Sequence, residues 1–209
     1  IRDRFILFVF SLSQADAQEF HFIPRIGLNL ANTYPESFAD MRPGLNIGVA
    51  EEIRFSKLFA LEPGVYYSMQ GYQKENAKGE TARLKADYLN IPIYAKFYLY
   101  RGFHLFAGPQ VGFNIRAKAS NYIFVSGPTP VHQSEYDFSG DKKEEIRNCD
   151  FSVSMGLGYT FDMGLVISAN YNLGCTHFFK EPEYSFGGSN HFRGKDHNGV
   201  IQFNLGWRF

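Results

Sequence analysis

The chain has 209 residues and carries 21 Lys and Arg against 21 Asp and Glu, so its formal net charge is zero. This balance excludes a strong field that would attract nucleic acid or an acidic partner. The length suits one domain once a leader is removed, and no apolar run reaches the roughly 20 residues of a membrane-spanning helix. A membrane is not thereby excluded, because a strand of a membrane barrel shows lipid only every second residue and its hydropathy averages out.

The first residues have the pattern of an export signal. Arg2 and Arg4 precede the apolar run 5–10, and Ala15-Asp16-Ala17 follows as an A-x-A cleavage site. We therefore expect residues 1–17 to be a signal peptide and residues 18–209 to be the mature domain. The alternative is an amphipathic N-terminal helix of the mature fold. Export would place the chain in an oxidising compartment, where disulfides can form.

Eight segments alternate between apolar and polar residues, which places the two sets on opposite faces of a strand. The last one alternates without a break to the end of the chain: Ile201, Phe203, Leu205, Trp207 and Phe209 oppose Asn198, Gln202, Asn204, Gly206 and Arg208. In chain order the segments lie near 22–31, 44–55, 59–71, 88–99, 103–116, 150–161, 165–176 and 198–209.

The connections between these segments alternate in length. Those near 56–58, 100–102 and 162–164 are tight, and those near 32–43, 72–87, 117–149 and 177–197 are long. Short turns on one side and long loops on the other are typical of outer-membrane barrels with both termini in the periplasm. A sheet in lipid must also close, because an edge would leave backbone groups unpaired.

We therefore predict an all-β fold, an eight-stranded antiparallel up-and-down transmembrane β-barrel with short periplasmic turns and long extracellular loops. The lipid bilayer of the outer membrane is its expected surrounding. The interior of an eight-stranded barrel is just wide enough for side chains to fill, so we expect a plugged lumen.

Several of these strands resemble one family in their motifs. The run Tyr88-Leu89-Asn90-Ile91-Pro92-Ile93, followed by Ala95-Lys96-Phe97, resembles the fourth strand of the PorT-like outer membrane protein beta-barrel family. Segments 106–112, 156–159 and 171–174 are similar to other strands of that family. The resemblance implies an eight-stranded barrel in a Gram-negative outer membrane. It implies little about activity, although the member that names the family assists a protein-secretion system.

Two sets of residues are candidate functional elements. The first is a lumenal charge network, which we interpret as a structural set of ion pairs, with a proton or ion path as the alternative; its predicted members are Arg25, Glu52, Arg54, Glu62, Lys96, Arg116 and Arg208. The second is the final strand. Its resemblance to other barrels implies that the barrel-assembly machinery recognises Phe203, Leu205, Trp207 and Phe209 during biogenesis.

The sequence shows no catalytic, cofactor-binding or metal motif. His177, His191 and His197 flank the last long loop near Glu181, Glu183 and Asp196, but their spacing matches no compact metal motif. Ser and His occur without a sequence pattern that would pair a nucleophile with a base. The longest loop contains Gly127-Pro128-Thr129-Pro130. Such a solvated segment is a candidate surface for adhesion or for docking of a protein partner, and its sequence identifies no ligand.

Cys149 and Cys175 are the only cysteines, and they flank one predicted hairpin. A turn centred on Asp162 would place them directly opposite each other. A three-residue turn with Gly164 in a left-handed conformation, which we favour, would make them diagonal neighbours with Cβ atoms about 7 Å apart, whereas a disulfide needs about 3.8 Å. Both a disulfide and two free thiols remain open at this stage.

The sequence thus favours a small, non-enzymatic outer-membrane barrel whose external loops interact with a partner or shape the cell surface. An accessory or assembly factor of a secretion machine is a second hypothesis, which rests on the resemblance. A membrane-embedded enzyme or a small-solute channel is a third.

Overall fold

The computed structural model describes residues 19–34, 40–75, 81–126, 134–141, 146–177 and 197–209. The predicted leader therefore lies outside the described residues. Within them no helix is long and apolar enough to cross a membrane. The strands are β1 Glu19–Tyr34, β2 Asp40–Arg54, β3 Phe59–Glu75, β4 Thr81–Tyr100, β5 Phe103–Ser126, β6 Ser134–Asp141, β7 Cys149–Thr160, β8 Leu165–His177 and β9 His197–Trp207.

Eight of these strands close into one antiparallel barrel. The order around it is β1-β2-β3-β4-β5-β7-β8-β9, and β9 pairs with β1 to complete the ring. The strand β6 stands outside the ring and, among the strands that the structure describes, pairs with β5 alone. The prediction of eight barrel strands is confirmed. Closure pairs the backbone N–H and C=O groups that an open sheet edge would leave without hydrogen bonds in lipid.

The two faces of each strand divide as the period of two predicts. On β4, Leu89, Ile91 and Ile93 are exposed on the outer face, whereas Asn90 and Lys96 are buried in the lumen. This is the reverse of a soluble protein, in which the large apolar residues would be buried. An apolar outer face around a polar interior is the arrangement of a barrel surrounded by lipid.

Three tight turns connect strands at one end of the barrel, which we call the short-turn end. They are Phe55–Leu58, Arg101–Gly102 and Phe161–Gly164. Arg101 and Gly164 have φ angles of 49° and 99°, so both adopt the left-handed conformation that tight hairpin turns require. Both described termini, Glu19 and Phe209, lie at this end. The prediction that short turns gather on one side is confirmed.

At the opposite end, the long-loop end, the structure corrects two predicted loops. The connection predicted for 72–87 is mostly strand, because β3 continues to Glu75 and β4 begins at Thr81. The connection predicted for 117–149 contains the outer part of β5 and all of β6. These segments combine turn-forming residues with β-forming ones, and pairing with a neighbouring strand decides their conformation.

The extended strands form a four-stranded sheet beyond the rim of the barrel, which we call the projecting sheet. It comprises the outer ends of β3, β4 and β5 together with β6. The pairing of β5 with β7 ends at Phe113. Residues 114–126 continue from there, and at about 3.3 Å per residue they add on the order of 40 Å of strand. The rim of the barrel is therefore strongly asymmetric.

Candidate functional site in the barrel lumen

The lumen is filled by three layers of side chains that follow one another along the barrel axis. A charged layer lies near the short-turn end, around Glu52 and Lys96. A layer of amide and hydroxyl side chains occupies the middle, around Asn170 and Gln202. An apolar layer lies at the long-loop end and consists of Leu84, Ala86, Tyr88, Ala117 and Ile146.

Lys96 is the centre of the charged layer. Its ammonium group lies 2.5 Å from a carboxylate oxygen of Glu52 and 2.9 Å from one of Glu62. The Glu62 carboxylate also forms an ion pair with the Arg25 guanidinium, at 2.7 Å. The side chains of Lys96, Glu52 and Glu62 are at most 1% exposed. Buried charges of this kind persist only when they are paired and hydrogen-bonded, and each of these has at least one such partner.

Glu52 is the most heavily engaged carboxylate in this layer. In addition to Lys96, it accepts hydrogen bonds from Arg54 at 3.0 Å and from the Tyr98 hydroxyl at 2.6 Å. Arg208 approaches it at 4.0 Å, and the Arg54 guanidinium lies 4.2 Å from the centre of the Tyr98 ring. Four cations therefore share two carboxylates, so the loss of a carboxylate would disturb the layer more than the loss of a cation.

The structure brings together six of the seven predicted members of the charge network: Arg25, Glu52, Arg54, Glu62, Lys96 and Arg208. The prediction for Arg116 is wrong. Asp87 pairs with Arg116 but Tyr88 pairs with Asn114, so Ile115 is an extra residue in β5. Such a β-bulge inverts the alternation beyond it, and Arg116 is consequently exposed on the outer face while Ala117 is buried.

The middle layer is a network of uncharged side chains. The alternation of the sequence predicts that these side chains lie inside the barrel, but it does not predict their hydrogen bonds. Gln202 donates to Asn29 at 2.9 Å, and Asn29 donates to Ser68 at 2.9 Å. Asn170 donates to Gln202 at 2.9 Å and to Asn172 at 2.8 Å. The bond from Asn170 to Asn172 lies within β8, and the other three join β9 to β1, β1 to β3 and β8 to β9. They therefore cross-link the barrel wall as well as filling its interior.

Little free space remains in the described lumen. A cavity of about 10 Å³ between Arg25, Tyr66, Tyr94 and Gln202 is room for about one water molecule. The charged and amide layers therefore form a hydrogen-bonded plug, consistent with the narrow interior of an eight-stranded barrel. Chemically, this arrangement stabilises the barrel, and the cavity beside Arg25 is too small for more than about one water molecule.

The histidines that flank the last long loop are only partly within the described residues. His177 and His197 are paired across β8 and β9, with ring centres 4.9 Å apart. His191, Glu181, Glu183 and Asp196 lie outside the described residues. In the described part of the chain, no three His, Cys, Asp or Glu side chains are grouped as metal ligands.

The two cysteines are free and exposed in the structure, so the disulfide considered from the sequence is not formed. Ser152 lies opposite Gly174, and this register places Cys149 and Cys175 two residues apart along the ladder. Gly164 adopts the left-handed conformation of the favoured turn. The prediction of a diagonal arrangement is confirmed, and diagonal neighbours are too far apart to bond.

The final strand presents its apolar residues to the outside. Phe203 and Leu205 are each 52% exposed, and Phe209 is 70% exposed. Beyond the end of β9, the Phe209 amide donates to the carbonyl of Phe22 at 3.0 Å. The C-terminal residue is thus attached to β1, at the seam that closes the barrel.

A closed eight-stranded barrel with an apolar exterior, a polar plugged lumen and short turns at one end defines a small outer-membrane β-barrel protein. The sequence matches the model of one family over residues 13–190, and that family is described as an outer membrane protein beta-barrel domain. The chain belongs to this family.

Solved structures include similar barrels. Neisserial surface protein A has a TM-score of 0.52 and 13% identity, and the match covers 92% of this chain and 99% of that one. Ail, the attachment invasion locus protein of Yersinia pestis, has a TM-score of 0.49 and 14% identity over 91% of this chain and 99% of its own. A search of the curated proteins found no match. At these identities the likeness to Neisserial surface protein A shows the fold alone.

Proposed function

We propose that the chain is a non-enzymatic outer-membrane protein whose long-loop end faces the cell exterior and carries its interactions. The observation that supports this proposal is the projecting sheet. It extends from the same end of the barrel as the long connections, while the other end has only tight turns. In folds of this kind a rigid scaffold positions surface segments that bind partners.

The orientation can be tested with epitope insertions in living cells. One insertion is placed between Pro128 and Thr129, and the matched one is placed after Lys57 in a short turn. We expect antibody to stain intact cells only with the first insertion, and to reach the second only after the outer membrane is permeabilised. Staining of the Lys57 insertion in intact cells would overturn the orientation.

The plugged lumen supports a protein that is neither a pore nor a lumenal enzyme. Planar bilayers containing the refolded protein are expected to show no stable conductance, because the charged and amide layers fill the interior. Porin-sized channels would contradict this proposal. A hydrolase panel on the same preparation tests for catalysis at the external surface.

A second candidate is an accessory role in protein secretion. The motif from Tyr88 to Phe97, which resembles the PorT-like barrels, supports it. Deletion of the gene and comparison of secreted proteins would separate the two candidates. An unchanged set of secreted proteins favours the surface role, and a general loss of secretion favours the accessory role.

Biogenesis is proposed to follow the ordinary route of such barrels. Export would remove residues 1–17, and the assembly machinery would recognise the final strand through Phe203, Leu205, Trp207 and Phe209. All four of these side chains are exposed on the outer face and available to a protein that guides insertion. Intact mass measurement of the membrane-assembled protein tests the first step, since the mature chain should begin at Gln18.

A further inference from the structure

The outer surface at the base of the projecting sheet carries four exposed cations, which we call the basic patch. Arg83 and Lys85 lie on β4, and Arg116 and Lys118 lie on β5. The two strands are adjacent and antiparallel, and Lys85 is directly opposite Lys118. Like charges directly opposite each other destabilise a strand pair. The exposed pair therefore carries an unfavourable interaction that a bound anion would offset.

The patch depends on the irregularity in β5. If the alternation of β5 continued unbroken past Asn114, Arg116 and Lys118 would point into the lumen with it. The β-bulge turns both of them to the outer face, where Arg83 and Lys85 already lie. Bulges commonly redirect side chains near functional sites, and this one assembles four cations on one face.

The strands β4 and β5, which carry the patch, contain one acidic residue, Asp87. Asp87 is opposite Arg116, but it is buried and one of its oxygens accepts a hydrogen bond from the Tyr67 hydroxyl at 2.9 Å. Asp141 of β6 is in register with Lys118. On β4 and β5, the four cations of the patch therefore accompany one acidic residue. No ion pair within 4.0 Å joins the patch to an acidic side chain that the structure describes.

The position of the patch identifies the chemistry of its ligand. The outer face of β4 is apolar from Leu89 to Leu99, and that of β5 is apolar from Phe103 to Ile115. On β5, Arg116 directly follows the belt, and on β4, Lys85 follows it after Asp87. This is the depth at which we expect the hydrocarbon to end and charged lipid headgroups to begin. Long basic side chains at this depth extend toward such headgroups, and clusters of Lys and Arg attract anionic lipid.

We propose that the basic patch binds the phosphate groups of a phosphorylated glycolipid in the outer leaflet. The choice of leaflet rests on the proposed orientation of the barrel, whereas the binding itself does not. A bound phosphate would lie between Lys85 and Lys118, relieve their repulsion, and leave the acyl chains of the lipid along the apolar belt of β4 and β5.

The test is a titration of the refolded full-length protein in neutral detergent with diphosphoryl lipid A, followed by native mass spectrometry. The main variant is Lys85→Gln/Lys118→Gln. The matched control is Lys57→Gln/Arg101→Asn, which also removes two exposed cations but at the short-turn end. Asn is chosen because it tolerates the left-handed conformation of Arg101. Heat-modifiable gel mobility verifies that each variant is folded.

We expect each cation to contribute about fivefold to affinity, so the Lys85→Gln/Lys118→Gln variant should bind about 25-fold more weakly. The control should bind as the unmodified protein does, and fully dephosphorylated lipid A should not be retained. If the lysine variant does not fold, Arg83→Gln/Arg116→Gln tests the same patch. Equal binding by patch variants and unmodified protein would overturn the proposal, as would equal losses in patch variants and control.

Two further arms separate the alternatives. Competition by inorganic phosphate alone, with full displacement of the lipid, would indicate a site for free phosphate and overturn the lipid assignment. The epitope experiment in intact cells tests orientation independently. If the protein binds lipid A in detergent but has the opposite orientation in cells, the assignment to the outer leaflet and the proposed function are wrong, whereas the lipid site stands. If the orientation is as expected but lipid A does not bind, the lipid site alone is wrong.

Discussion

Replacement of Glu52 by Gln is the most direct test of the charged layer. The Glu52 side chain is fully buried and contacts Lys96 at 2.5 Å and Arg54 at 3.0 Å. Removal of one partner from a buried ion pair typically costs about 3–5 kcal/mol, because the other charge stays buried without compensation. Lys96 retains Glu62 at 2.9 Å, so we expect a loss near the lower value, about 3 kcal/mol.

Lys96→Met should cost less than Glu52→Gln, although Lys96 lies at the centre of the layer. After its removal, Glu62 retains Arg25 at 2.7 Å and Glu52 retains Arg54 at 3.0 Å. Each carboxylate therefore keeps a cation, whereas loss of Glu52 leaves several cations with one carboxylate. This order of effects follows from the excess of cations in the layer.

The assay is urea unfolding of the protein in lipid vesicles, followed by heat-modifiable gel mobility. With a slope of about 1–3 kcal/mol per molar urea, a loss of about 3 kcal/mol lowers the midpoint by about 1–3 M. Glu19→Gln is the matched control, because the Glu19 side chain is 69% exposed and 3.6 Å from His21. Its expected loss is about 0–1 kcal/mol. Equal losses for Glu52→Gln and Glu19→Gln would refute the reasoning.

Three further predictions concern the lipid face, the terminus and the cysteines. Met155→Arg, near the middle of β7, should make insertion less favourable by about 2–4 kcal/mol, whereas Leu99→Arg, next to a turn, should cost about 0–1 kcal/mol. Equal costs in vesicle refolding titrations would contradict the assigned depths. Deletion of Phe209 should reduce the heat-modifiable fraction recovered from membranes, and an unchanged yield would count against a role in assembly. Alkylation of the unreduced protein should block both Cys149 and Cys175, and a linked peptide would refute the register of β7 and β8.

The sequence alone determined the number of barrel strands, most of their faces and the positions of the tight turns. These features are local, because a period of two assigns each residue to one face without knowledge of its neighbours in space. Leu89 and Lys96, for example, were placed correctly outside and inside from their parity. The charge network followed in the same way, since six of its members lie on uninterrupted stretches of alternation.

Only the tertiary structure decided what depends on pairing between strands. A single extra residue at Ile115 moves Arg116 from the predicted lumen to the outer face, and alternation gives no sign of such a bulge. The strand β6 exists because the outer part of β5 offers it an edge. The contact of Tyr98 with Glu52 depends on the strand register that closure of the barrel sets, and the opposition of Lys85 to Lys118 depends on the register beyond the β-bulge.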